Sequence, residues 1–316
     1  MSKKTIVVTG ALGFLGTHLC NRLVDEGHSV IGIDNKMCPS QTRLSDKVEL
    51  HIEDVCHMPE IWSTVLQPID EVYHLCSIAS PPIYKKRPFA TIETNVEGTI
   101  EICRFAKWKN AKMLLSSTSE IYGSPQQHPQ SESYFGNVDT LSQRAVYDES
   151  KRMAETIVNT YATKEQLKAT IVRIFNCYGP GMTLDDGRFI IEFTKRVLQG
   201  RDVVVYNGGK QTRSPCYIDD MIEMLIRAME LGGFGPYNIG NTEEYTVKDV
   251  LGMIMSIANK RSNIVHMPVL DGDPGQRRPN ISRAELAGIA NFEKTPLSVG
   301  LEKTISYIKG QIADSE

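Results

Sequence analysis

The sequence predicts an α/β protein, a doubly wound parallel sheet joined to a smaller C-terminal α/β lobe. Three observations carry that prediction. Short β-rich apolar runs alternate with longer helical patterns in the first half, a glycine-spaced turn directly follows the first run, and the alternation breaks up past Phe175. In order, Thr5–Thr9, Val30–Ile33, Val48–Ile52, Glu71–Leu75, Met113–Ser116 and Thr170–Ile174 are read as strands. Apolar runs separated by helices make strands that are buried on both faces of a parallel sheet. Helical spacing marks Thr17–Glu26, Thr91–Trp108 and Asp148–Thr163. Residues 1–175 are assigned to the sheet domain and 176–316 mainly to the second lobe, crossings between the two being allowed. In that lobe, helices are expected to begin at Asp185 or Asp186, at Asp219 and at Thr246, where a capping side chain precedes an apolar-periodic run. Thr246 with Asp249 resembles a capping box. Met221, Met224 and Met229 recur at helical spacing and read as core. A Pro- and Arg-rich stretch, residues 273–279, interrupts the lobe near its end.

Composition narrows the class. The 316 residues hold 35 Lys and Arg against 38 Asp and Glu, a net charge of -3, with 41% hydrophobic and 23% charged residues. That balance excludes a disordered chain, a collagen and a strongly basic nucleic-acid binder. No apolar run reaches the length of a membrane span, and the first residues lead into a strand without the apolar stretch of a signal peptide. A cytoplasmic protein is expected, with no membrane and no nucleic-acid partner. The seven cysteines are scattered without a C-x-x-C pair, so they read as reduced, and no zinc-ligand spacing is present: no metal is expected.

The glycine turn is Gly10-Ala-Leu-Gly13-Phe-Leu-Gly16. Glycines there let the backbone approach a pyrophosphate, and the helix that follows offers free N–H groups and a favourable dipole. Asp34 ends the second strand, where a carboxylate accepts hydrogen bonds from an adenosine ribose and repels a 2'-phosphate. The pattern reads as a Rossmann site for NAD in preference to NADP. Asp54, ending the third strand, is placed either at the adenine or as a cap.

Tyr147 and Lys151 lie four residues apart, hence on one face of a helix. A phenol is a poor base at neutral pH, and a neighbouring ammonium stabilises the phenolate. Such a tyrosine takes a proton from a sugar hydroxyl as hydride leaves for a nicotinamide. Ser117-Thr118-Ser119-Glu120, ending a strand, completes the constellation.

With these pieces the sequence resembles the extended short-chain dehydrogenase/reductases that modify nucleotide sugars. The matching residues are the glycine turn, His74-Leu-Cys-Ser-Ile-Ala-Ser80, Asn95-Val-x-Gly-Thr99, Ser117-Thr-Ser-Glu-Ile-Tyr-Gly123 and Tyr147-x-x-x-Lys151. Within the family the likeness is closest to the branch that decarboxylates UDP-glucuronic acid. It rests on Ala79-Ser-Pro-Pro-Ile-Tyr-Lys85, Gly136-Asn-Val138, Tyr147-Asp-Glu-x-Lys-Arg152, Arg173-Ile-Phe-Asn-x-Tyr-Gly-Pro180, Leu184-Asp-Asp-Gly-Arg188, Gln211-Thr-Arg-Ser214 and Arg277-Arg-Pro-Asn-Ile281.

The resemblance implies oxidation at the sugar's C4, loss of carbon dioxide from the resulting β-keto acid, and re-reduction to a UDP-xylose. It implies Tyr147 as base, Lys151 depressing its pKa and holding the nicotinamide ribose, and Thr118 on the reacting oxygen. Glu120, with Ser119, would orient the sugar and move a proton, and Arg277 would meet the carboxylate or the enolate. Phe14, Leu15, Asn35, Val55, Leu75, Ser77 and Asn95 are placed at the cofactor. Pro82, Tyr84, Lys85, Asn176, Arg188, Tyr206, Gln211, Arg213, Tyr217 and Arg278 are placed at the UDP-sugar, where arginine suits a diphosphate. A homodimer through a four-helix bundle is implied by the same likeness.

Two sister reactions remain as alternatives, 4-epimerisation and 4,6-dehydration, as does a non-catalytic NAD- or sugar-nucleotide-binding sensor. Dehydratases carry Asp-Glu after the threonine where this chain has Ser119-Glu120, and epimerases usually lack the Glu. Retention of Thr118, Tyr147 and Lys151 speaks against a sensor. The chain departs from the family pattern at Leu12, where a glycine-alanine pair is usual around the turn, and at Pro215, where relatives usually carry an aromatic residue.

Overall fold

The computed structural model describes residues 2–57, 65–269 and 275–314. Its centre is a parallel sheet built from β1 (Thr5–Thr9), β2 (Ser29–Asp34), β3 (Glu49–Ile52), β4 (Glu71–His74), β5 (Lys112–Thr118), β6 (Ala169–Ile174) and β7 (Tyr237–Ile239). The spatial order is β7-β6-β5-β4-β1-β2-β3. The chain winds outward one way from β1 and the other way from β4, so a crevice opens at their carboxyl ends, where such sheets bind ligands.

Alternation along each strand divides the core in two. Ile6, Val8, Tyr73, Leu114 and Val172 face one side, with Leu19 and Leu23 of α1 (Phe14–Asp25) and Met221, Met224 and Met229 of a later helix. Val7, Val72, Met113, Leu115 and Ile171 face the other, with two long helices. These are α3 (Pro88–Trp108) and α4 (Ala145–Glu165), preceded by the short α2 (Pro81–Lys86).

Several boundaries depart from the sequence expectation. The third strand is not buried on both faces: Leu50 and Ile52 are exposed, because β3 is an edge strand paired only with β2. α1 starts at Phe14 and not Thr17, because Gly13 itself, in an extended conformation with no capping side chain, is the N-cap. The helix expected from Asp185 or Asp186 is α5 (Phe189–Leu198). Gly187, at φ +84, interrupts any helix begun earlier. α6 (Ile218–Leu231) carries Asp219 in its first turn, and α7 (Val247–Ala258) is capped by Thr246, whose hydroxyl oxygen accepts the Asp249 N–H at 3.0 Å.

The second half does not stand apart. α6 packs on β5 and β6, and β7 pairs with β6, so residues 218–239 return to the main sheet. Around them, α5, α7 and α8 (Leu297–Ala313) contact one another beside a two-stranded pair, Val203–Tyr206 with Ile264–Met267. Thr212–Arg213 pairs antiparallel with Tyr245–Thr246 and parallel with Gln276–Arg277. That last pairing brings Arg277 to the mouth of the main crevice. Of the Pro- and Arg-rich stretch, residues 273 and 274 lie outside the described residues. All seven cysteines are free, and no helix among the described residues is long and apolar enough to cross a membrane.

Candidate active site

At the carboxyl ends of β1 and β2 the glycine turn makes a cradle in which side chains have no room. Gly10 has φ +71, and a Cβ on Gly16 would lie 1.9 Å from the Gly10 carbonyl oxygen. The turn is pressed against α1, whose first residues Phe14, Leu15 and Gly16 line the cleft. Asp34 accepts the Leu12 N–H at 3.1 Å and the Lys36 N–H at 2.6 Å. Burial pushes its carboxyl up and those two bonds oppose the push. Asn35 donates to Asp54 at 2.8 Å, and Asp54 also accepts the Cys56 N–H at 2.9 Å, so Asp54 caps the turn Val55–His57. Close backbone approach, a helix N-terminus and an acid at the end of β2 fit the diphosphate and adenosine ribose of NAD. Leu12, the departure in the turn, is not among the residues lining the cleft.

The cleft holds about 620 Å³ and runs from this turn past the end of β5 into the second lobe. Thr118 ends β5, and its hydroxyl accepts the Glu120 N–H at 3.2 Å, opening the tight turn Ser119–Tyr122. Tyr147 projects from the first turn of α4, hydrogen-bonded to Thr118 and stacked on Tyr84 with centroids 5.4 Å apart. Burial pushes its phenol up, against the pull of Thr118. Lys151, expected to depress that phenol, donates to the Ser116 carbonyl at 3.0 Å, and burial brings its own pKa down to about 8. Ser77, which lines the cleft, donates to Asn95 at 2.7 Å; Asn95 donates in turn to Ser150 on α4.

Glu120 is clamped. Arg277 donates to one of its oxygens and Arg144 to the other. Burial pushes the Glu120 carboxyl up, but Arg277 and then Arg144 outweigh it and hold it well below the usual range. Held ionised, it can accept a proton but has none to donate, and the two guanidiniums fix its position.

Of the sequence candidates, Gly10, Gly13, Phe14, Leu15, Leu75, Ser77, Tyr84, Lys85, Thr118, Ser119, Glu120, Tyr147, Lys151, Asn176, Arg188, Tyr206, Gln211, Arg213 and Arg277 line the cleft, as does Pro215. Asp34, Asn35, Asp54, Val55, Asn95, Pro82, Tyr217 and Arg278 do not. Val55 is core, packed under Gly98, and Tyr217 is buried edge-on against Tyr178 beneath Gly300. Pro82 packs against Gly187 while its neighbour Pro81 faces the cleft. The Arg278 backbone pairs with Gln130, and its Nε is buried without a partner.

Sequence reasoning missed Arg144, which lines the cleft, and Glu155, which lies beneath it. Glu155 accepts the Ser117 hydroxyl at 2.5 Å and two bonds from Arg173, which reaches on to Tyr122. The signal was spacing: Glu155 is four residues beyond Lys151 and Arg144 three before Tyr147, each about one helical turn away.

Comparison with known proteins matches the NAD dependent epimerase/dehydratase family over residues 6–240. UDP-glucuronic acid decarboxylase 1 of Danio rerio is 38% identical over 312 residues, 98% of this chain and 74% of that protein. UDP-glucuronic acid decarboxylase 1 of Arabidopsis thaliana is 39% identical over 317 residues, 98% of this chain and 71% of that protein. The crystal structure of UDP-glucuronic acid 4-epimerase from Bacillus cereus, with UDP-glucuronic acid and NAD, superposes with a TM-score of 0.86 at 27% identity, covering 97% of this chain and 99% of the epimerase.

Proposed function

The chain belongs to the NAD dependent epimerase/dehydratase family, and from that premise we propose that it is a carboxy-lyase converting UDP-glucuronic acid to UDP-xylose. One observation of the site supports a sugar acid as the substrate in place of a neutral sugar. Beside the Thr118–Tyr147 pair, two guanidiniums stand against the single Glu120 carboxylate, which leaves a surplus positive charge for a sugar acid. The named activity of the relatives at 38% and 39% identity supports the same reading.

NAD, held at the glycine turn and by Lys151, would supply the acceptor for the C4 hydride and the donor for its return. Tyr147 accepts the proton of the C4 hydroxyl, with Thr118 hydrogen-bonded beside it to orient that oxygen. The sugar is then a β-keto acid. Its C5–C6 bond breaks, the bonding electrons pass to the C4 oxygen as an enolate, and carbon dioxide leaves. Arg277, a fixed charge in a buried setting, stabilises the negative charge at that stage. C5 takes up a proton from water, the ketone is reduced, and Tyr147 returns its proton to the C4 oxygen. Arg188 and Arg213 are positioned along the cleft for the diphosphate.

A homodimer belongs to the proposal. α3 and α4 pack side by side and expose Phe89, Ile92 and Met153, a face that the same helices of a second copy would cover. A cytoplasmic location is supported by the seven unpaired cysteines, which suit a reducing compartment.

The test is mass spectrometry of the sugar nucleotide after incubation with UDP-glucuronic acid and NAD. The proposal expects loss of carbon dioxide to give a UDP-pentose. An unchanged mass, as epimerisation or mere binding leaves, contradicts it.

A further inference from the structure

Two arginines hold Glu120, and they are not equivalent. Arg277 is fixed: its side chain is 5% exposed, its Nη2 faces the Gly123 carbonyl at 3.4 Å, and its backbone sits in the Gln276–Arg277 strand. Arg144 stands just outside α4, its side chain is 23% exposed, and Glu120 is its side-chain hydrogen-bond partner. Both line the cleft beside Tyr84, whose hydroxyl is buried without a partner. The Arg144 guanidinium is near enough to that phenol to oppose the upward push of burial on it.

We infer that Arg144 is the specificity residue for the sugar carboxylate, and that the Glu120 carboxylate stands in for it until an anionic sugar takes over that guanidinium. The inference rests on the preceding reading that the substrate is a uronic acid. A carboxylate entering beside Tyr84 replaces one charge-assisted bond to Arg144 with another, so the guanidinium is never left buried without a counter-charge. Glu120 remains on Arg277 throughout. A sugar without the carboxylate has nothing to exchange, leaves the Glu120–Arg144 pair closed and gains no contact there. Selection between a uronic acid and a neutral sugar thus comes from an exchange of partners, and the polar groups of the site disfavour the ligand that cannot pair with them. Charge agrees: Glu120, Arg144 and Arg277 sum to one positive charge, which one carboxylate neutralises.

The experiment is calorimetric titration with UDP-glucuronic acid and with UDP-xylose, in the presence of NAD, of protein carrying Tyr147→Phe to stop turnover. Adding Arg144→Gln should weaken UDP-glucuronic acid by ~10- to 100-fold, the size of a hydrogen bond to a charged group, and leave UDP-xylose within about twofold. Arg144→Lys, which keeps the charge, should recover part of the loss. Equal weakening of both ligands means a structural role and overturns the inference; so does no weakening of either. Failure of the Tyr147→Phe parent to bind UDP-glucuronic acid overturns the underlying reading as well, and is seen before any Arg144 variant is made.

Discussion

Tyr147 is buried against Tyr84, and its proton is held more tightly than in a free phenol. Among the described residues, Tyr147 with Thr118 is placed to exchange a proton with a sugar hydroxyl, and it takes that proton as the phenolate. Tyr147→Phe should lower kcat by ~10²- to 10⁴-fold, the usual worth of a general base, without weakening NAD binding; steady-state rates beside a cofactor titration check it. Asp148, the next residue, is buried with one oxygen unpartnered, and burial together with the Glu120 charge pushes its carboxyl up to about 7. A carboxyl that holds its proton more tightly when folded favours the folded chain at low pH and loses that advantage as pH rises from about 4 to about 7. Asp148→Asn should therefore exceed the parent protein in melting temperature by a wider margin near about pH 8 than near about pH 5. Melting curves at both values decide; parallel curves reject it. Arg144 and Glu155 went unread in the sequence because an isolated charge looks like a surface charge until its partner is known. Tyr217 and Val55, placed at the ligand by likeness to relatives, have side chains buried in the core.

The glycine turn and its helix form one element. Because a Cβ on Gly16 would strike the Gly10 carbonyl, Gly16→Ala must move α1 away from the turn. The expected result is a lowered melting temperature and loss of NAD binding, measured by unfolding with and without cofactor; an unchanged cofactor-induced shift contradicts it. The α3–α4 face makes a second prediction. Ile92→Glu with Met153→Glu sets charges into the apolar face proposed as the dimer contact. Sedimentation should then report a monomer where the parent protein gives a dimer, and a parent that already sediments as a monomer refutes the contact.

At the scale of the whole molecule, six of the seven sheet strands were legible, since short β-rich runs between helical patterns leave a local signal even where, as at β3, the strand is partly exposed. The seventh, β7, has three residues, too few for any periodicity, and it belongs to the sheet only because α6 carries the chain back across it. Arg277 was expected at the site from likeness alone. What places it there, a two-residue pairing with Thr212–Arg213, joins segments more than sixty residues apart and has no local signature. Tyr147 and Lys151 were legible because one helix holds both. Glu120 and its two arginines were not, as a cluster, because three separate stretches of chain meet there.

The central claim is a decarboxylation in which the oxidation at C4 is reversed within the same site. Its most direct test supplies UDP-glucuronic acid labelled at the carboxyl carbon, with catalytic NAD, and follows labelled carbon dioxide together with NADH absorbance. The account predicts release of label far beyond the amount of NAD present, with no build-up of NADH. Turnover of the sugar with the label retained would contradict it.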